Sequence, residues 1–276
     1  MSYPAAFAPV PSLGPSRLLL VMALALCGCA TGAPSGLDST VQRLERLLPA
    51  DAIFLGEQHD APDHHRVQRE VAQVLAQRAQ LAALALEMAE QGRSTAALSA
   101  DASEAQAQAA LGWSEGAWPW ADYGPVVMVA VRAGVPVLGA NLPRAQMRAH
   151  MGDATLDARL GAADFAQQQS DIRAGHCDKL PESQITPMTR VQIARDMAMA
   201  QTVRDAVVAG KTVLLLAGRG HVDRKLGVPR HLPPDLKLQA VGIGDSETPE
   251  ERERFDLIWP AQPGPEKDYC ADFKTR

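Results

Sequence analysis

The sequence predicts an α/β fold with a mostly parallel central sheet flanked by helices, and three observations carry that expectation. Short apolar runs at Ala52–Leu55, Leu81–Leu86 and Val213–Leu216 are near-continuous, as in strands buried on both faces of a parallel sheet. Longer segments of helical period separate them, so strand and helix alternate in the manner of right-handed βα units. Two of the runs also stop at a glycine and release a histidine at the same spacing, Gly56-Glu57-Gln58-His59 and Gly218-Arg219-Gly220-His221. In an open α/β sheet that carboxyl edge is where ligands bind.

The elements follow in order. Arg17 precedes the apolar run Leu18–Leu26, which has signal-peptide length and is too short to span a bilayer as a helix. The run ends in Leu26-Cys27-Gly28-Cys29, similar to a bacterial lipobox. Residues 1–28 are therefore read as a signal peptide and 29–36 as a lipidated tether. Residues 37–276 form a single domain, anchored through Cys29 to the cell envelope, at the outer membrane. An ordinary signal peptide or weak anchor is the alternative.

A first helix is expected over Leu37–Leu48, with Val41, Leu44 and Leu47 on one face. After the first strand, Asp63 is placed to cap a helix carrying Val67, Val71, Val74 and Leu75, with His64 and His65 in its first turn. The second strand ends in Glu87-Met88. Gly92–Gly116 is Ala- and Gln-rich and reads as helical, with Trp113, Trp118 and Trp120 clustered at its end. A helix over Asp122–Val131 has Pro125 near its first turn. The strand Val135–Leu138 leads to Asn141, and residues 145–169 read as helix broken at Gly152 and Gly161. Gly175–Pro187 reads as a loop and Met188–Val208 as the longest helix. Weaker strands are expected at Leu238–Ile243 and Asp256–Trp259.

Net charge is −5 and no basic stripe is interleaved with aromatics, so nucleic acid is not an expected partner. Neither a phosphate-loop motif nor G-x-S-x-G is present, which weakens nucleotide and serine-hydrolase readings. With Cys27 removed and Cys29 lipidated, Cys177 and Cys270 remain, and an oxidising compartment favours a bridge between them. A Cys/His metal site with His176 is the alternative, without Cys-x-x-Cys spacing to support it.

Four strand ends thus present Glu57 with His59, Glu87, Asn141 and His221. The histidines suit metal or iron ligation, general-base work or anchoring of an anion. The glutamates suit general bases, metal ligands or partners that orient a histidine tautomer; a helix N-terminal carboxylate is the plainer reading of Glu57. His59, Glu87 and His221 together are the candidate metal set. Arg219 is a cation for a carboxylate or propionate. Arg195 and Asp196 read first as a solvated helix face and second as a buried pair turned toward the crevice.

Six motifs in order carry a resemblance: Leu55-Gly56-Glu57-Gln58-His59-Asp60, Leu86-Glu87-Met88, Ala140-Asn141-Leu142-Pro143-Arg144, Gln192-Ile193-Ala194-Arg195-Asp196 with Met199-Ala200, Ala217-Gly218-Arg219-Gly220-His221, and Gly227-Val228-Pro229. Over residues 40–260 the chain resembles the ChaN-like haem-binding uptake lipoproteins. Their wider superfamily includes the erythromycin esterases, TraB and the Tiki proteases. The resemblance implies an α/β crevice built from His59, His221, Glu87 and Glu57. It implies haem as cofactor, a role beside outer-membrane haem and iron uptake machinery, and a homodimer. The esterase and Tiki branches imply the alternative, a hydrolase, using a divalent metal ion in the protease case. Arg219 departs from the expected pattern of a small or amide residue. Haem requires an axial donor, an apolar slot and cations for its propionates. Tyr123, near the tryptophans, is the axial candidate, with His64, His65 or His176 as surface alternatives.

Overall fold

A computed structural model describes residues 36–244 and 247–271, so the expected signal peptide and the expected lipidation site at Cys29 lie outside the described residues. Strands β1 (Ala52–Glu57), β2 (Leu81–Glu90), β3 (Val137–Asn141), β4 (Thr212–Gly218), β5 (Leu238–Ile243) and β6 (Leu257–Trp259) form one sheet. Its order is β3-β2-β4-β1-β5-β6, and every neighbouring pair is parallel. Side-chain parity explains the apolar runs. Ile53, Leu55, Leu84, Leu86, Leu214 and Leu216 enter one buried layer, while Phe54, Ala85, Val213, Leu215 and Ala217 enter the layer on the opposite face. A strand covered on both sides has no polar face to alternate with.

Helices α1 (Gly36–Glu45), α2 (Pro62–Gln77), α3 (Glu104–Leu111) and α4 (Trp120–Arg132) contribute to the first layer through Leu44, Val71, Leu111 and Val127. After α5 (Arg144–Met151) and α6 (Ala162–Gly175), the long α7 (Glu182–Ala206) covers the second layer with Met199, Ala200 and Val203. The short α8 (Arg219–Val222) leaves β4 directly, and α9 (Pro249–Arg254) precedes β6. Among the described residues no helix is long and apolar enough to cross a membrane.

Several boundaries differ from expectation, each for a local reason. Both β1 and β2 run past their apolar stretches, so Glu57 and Glu87 are strand residues rather than residues beyond the strand ends. The third strand is shifted to Val137–Asn141 and includes Asn141. Gly92–Ala102 is mostly turn, and the helix starts only where Ser103 and Gln106 form a reciprocal capping box, a signal the composition alone concealed. Asp63 does not cap α2; Pro62 opens that helix and Asp63 receives Arg66 Nε at 2.7 Å. The long helix begins before Pro187, whose fixed φ is compatible with a helix and removes only one backbone donor. Cys177 and Cys270 form a disulfide with Cα atoms 5.6 Å apart, tying the C-terminal segment to the loop after α6.

Candidate functional site

Strands β2, β4 and β1 are neighbours in the sheet although they are not consecutive in the chain. This insertion of β4 brings three carboxyl ends together, with Glu57 of β1 in register with Gly218 of β4. The glycines of the two Gly-x-x-His motifs permit the approach. A Cβ on Gly218 would lie 2.8 Å from His59 Nε2, and one on Gly56 would lie 3.2 Å from Arg219 Cα. Side chains at either place would push the following turn away from the sheet.

His59 is oriented by Glu57, whose Oε1 lies 2.7 Å from His59 Nδ1 and also accepts from the Tyr123 hydroxyl at 2.7 Å. Glu57 Oε2 accepts from Gln68 at 2.6 Å and lies 3.4 Å from His65 Nε2. Gln68 and His65 are supports that sequence reasoning missed. They share with His64 and Val71 the side of α2 turned into the fold, a signal available in the 3.6-residue period. The His59 ring rests against Trp118 with centroids 4.8 Å apart, and its side chain remains 36 % exposed.

Glu87 stands between the two histidines. Its Oε1 accepts from Arg195 Nη2 at 2.6 Å and lies 3.3 Å from His221 Nε2. Its Oε2 accepts from the Gly218 backbone N–H at 2.7 Å and lies 3.7 Å from His59 Nε2. His221 Nδ1 meets Asp196 Oδ1 at 2.5 Å. Arg195 and Asp196 are therefore not a solvated face: Asp196 is buried, and both side chains are committed to the crevice. Asn141 ties Arg195 to the sheet, donating to the Glu87 carbonyl and accepting from Arg195 Nε, each at 2.9 Å.

The electrostatics follow from these partners. Burial opposes protonation of His221, but Glu87 and Asp196 on its two sides push its pKa up to about 9. Burial likewise opposes charge on Glu87, yet His221, His59 and Arg195 hold its carboxyl well below the usual range. Desolvation would lower His59, and the Glu57 hydrogen bond with the Glu87 charge outweighs it, so that pKa is raised. At neutral pH His221 is thus an imidazolium, a donor and anion anchor rather than a base.

Other expected roles are corrected by placement. Tyr123 is fully buried, and its phenol is pushed upward by burial and by Glu57. It supports Glu57 and is out of reach of a surface porphyrin. Arg219 leaves the crevice altogether, pairing with Glu251, donating to the Ile243 carbonyl at 2.5 Å and stacking on Phe255. His64 and His65 are buried rather than surface donors; His64 Nδ1 accepts the Gln58 N–H at 3.0 Å. His176, half-buried, has Nδ1 against the Ile172 carbonyl at 2.8 Å. The expected metal set His59, Glu87 and His221 does converge, but among the described residues no group of three or more His, Cys, Asp and Glu has the geometry to hold a metal ion. Both Glu87 oxygens are already held, by a guanidinium and a backbone N–H. Among the described residues the metal-dependent hydrolase alternative therefore finds no metal-holding group to support it.

Beside this cluster a cleft of about 260 Å³ opens, walled by Met88, Trp118, Leu142 and Met147, with Arg144 and Arg195 lining it. Fold and crevice define a parallel α/β ligand-binding domain whose two histidines are held by carboxylates. The chain belongs to the family described as haem-binding uptake, Tiki superfamily, ChaN, which it matches over residues 43–232. It is similar in structure to ChaN of Campylobacter jejuni, a protein described as binding haem cofacially, with a TM-score of 0.68 and 25% identity over 81% of this chain and 92% of that one. More distant likeness extends to the erythromycin esterase EreC in its open conformation, with a TM-score of 0.45, 13% identity and coverage of 74% and 72%. It extends also to RRSP, a toxin effector domain from Vibrio vulnificus, with a TM-score of 0.44 and 14% identity over 81% of this chain and 40% of that one. No curated protein matches the chain.

Proposed function

We propose that the protein is a cell-envelope lipoprotein that binds haem at the Trp118 cleft and serves haem and iron uptake. The cleft beside the half-exposed His59 carries this reading. It supplies an apolar wall in Met88, Trp118, Leu142 and Met147 and a cation in Arg144, and the imidazole of His59 rests against Trp118 just outside it. Arg144 makes no ion pair among the described residues, whereas Arg195 is spent on Glu87 and Asn141. At about 260 Å³ the cleft is smaller than the roughly 300–1,000 Å³ of an enclosing small-molecule site. It suits a porphyrin seated by one edge with the remainder at the surface, where a second copy or an outer-membrane partner could share it.

Bound haem would supply a redox-active iron. The chain's own residues hold the neighbouring charge fixed: Glu57 orients His59, and the His221–Glu87–Arg195 cluster anchors the floor. Titration of the purified protein with haemin should give a saturating Soret shift that is lost in His59→Ala and weakened in Arg144→Ala. Binding no better than to an unrelated acidic protein would overturn the haem reading. The anchor is tested separately by mass spectrometry, with Cys29→Ala expected to remain an unprocessed, unlipidated precursor.

A further inference from the structure

On the α7 face of the sheet lies a second concavity of about 550 Å³, larger than the cleft at the strand ends. Three elements build it. Met197, Gln201 and Arg204 occupy one side of α7; Arg159 ends the 3-10 turn Ala154–Arg159; Arg230 and His231 end the 3-10 turn Val228–His231. Arg204 lies nine residues beyond Arg195 on α7, roughly 13 Å along the helix axis at 1.5 Å per residue. The groove shares no lining residue with the cleft at the strand ends.

Its charge is unusual for this chain, whose net charge is −5. Several guanidinium groups of the chain close on carboxylates, among them Arg66, Arg173, Arg190, Arg195, Arg224 and Arg254, all within 2.8 Å. In the groove they do not. Arg159 has no ion pair or side-chain hydrogen bond among the described residues, Arg204 donates only to the neutral Gln201, and Arg230 reaches Asp164 only at 3.8 Å. Nearby carboxylates are engaged with other groups: Asp157 by Arg190, and Asp205 by the Gln201 amide. His231 Nε2 is buried there without a hydrogen-bond partner.

Three under-paired guanidinium groups around one polar concavity suit an acceptor with several oxygens. We infer that the groove formed by Arg159, Arg204, Arg230 and His231 is a binding site for a phosphate group, carried either by a small soluble molecule or by an anionic lipid headgroup. A phosphate offers each guanidinium fork a charge-assisted pair of hydrogen bonds and places its charge beside His231. Burial first, and the Arg159 and Arg230 charges second, pull the His231 pKa down to about 4.

The test follows His231 by NMR in the purified protein. Pyrophosphate should raise its pKa by about 1–3 units, the effect of an adjacent opposite charge, and the shift should saturate. Arg204→Gln and Arg230→Gln together should abolish saturation without changing the haemin titration or the melting temperature. A parallel arm measures co-sedimentation with phosphatidylcholine vesicles with and without phosphatidylglycerol. Variant-sensitive binding to phosphatidylglycerol assigns the phosphate to a lipid, and a pyrophosphate response alone assigns it to a soluble ligand. If neither arm responds below roughly 10 mM phosphate, or if the double variant binds as well as the parent, the site does not exist.

Discussion

At the scale of single residues, the decisive feature is that imidazole and carboxylate alternate through the crevice, so each proton has a preferred place. His221 gains about 3 kcal/mol from a pKa raised from 6.5 to about 9, at 1.36 kcal/mol per unit. Because the folded pKa lies above the unfolded one, this stabilisation is complete below about pH 6.5 and is lost as pH rises through 9. Glu87 works in the opposite direction: its depressed pKa stabilises above the ordinary carboxylate range and is lost as acid protonates it. Melting temperature should therefore fall on both limbs, and Asp196→Asn should flatten the alkaline one by removing one of the two carboxylates that charge His221. An unchanged alkaline slope in that variant would place the proton elsewhere. His59 gives a second expectation at this scale. Iron takes only the neutral imidazole, and the His59 pKa is raised, so haemin coordination through it should strengthen as pH rises above that of an ordinary histidine. A spectral titration whose affinity is flat across that range would exclude His59 as the axial donor.

Between residues and the whole fold, strand ends decide what reaches the crevice. The two Gly-x-x-His motifs were legible because glycine and histidine types are rare at such spacing after apolar runs, and both histidines do meet at Glu87. The strand boundaries were less legible: Glu57 and Glu87 are charged, and their burial inside strands depends on partners from α2, α4 and α7 that no local pattern reveals. Arg195 and Asp196 illustrate the same limit. Their helix carries buried and exposed residues on overlapping arcs, and only the sheet order shows which arc faces His221. The Gly218 position offers a direct test at this scale. Gly218→Ala places a methyl 2.8 Å from His59 Nε2, so it should cost about 1–3 kcal/mol through overpacking and weaken haemin binding. Gly220→Ala, with nothing within 4 Å of its Cβ, should do neither. Equal thermal denaturation and binding in the two variants would show that the glycine spacing is not what admits the histidine.

For the molecule as a whole, the parallel α/β class followed from the alternation of apolar runs and helical segments, but the strand order did not. Nothing local to Val213–Leu216 says that β4 inserts between β1 and β2, yet that insertion is what assembles the crevice. The long-range tie that was legible is covalent. Cys177 and Cys270 are the two cysteines that lie among the described residues, and they bridge across 93 residues of chain. The segment they secure has no strand or helix of its own after Trp259 among the described residues. It is held otherwise by scattered contacts: Tyr269 donates to Asp60 and accepts from Gln58, the Gln262 N–H reaches Asp63, and Lys179 reaches the Cys270 carbonyl. Closing a loop of this length is worth about 4–5 kcal/mol in the chain-entropy model, and measured values cluster at about 2–4 kcal/mol. Cys270→Ser should therefore lower the melting temperature by roughly 5–15 °C for a domain of this size and open residues 260–271 to proteolysis, while leaving the alkaline stability limb set by His221 in place. A variant that melts with the parent under non-reducing conditions would mean that the scattered polar contacts, rather than the bridge, hold the C-terminal segment down.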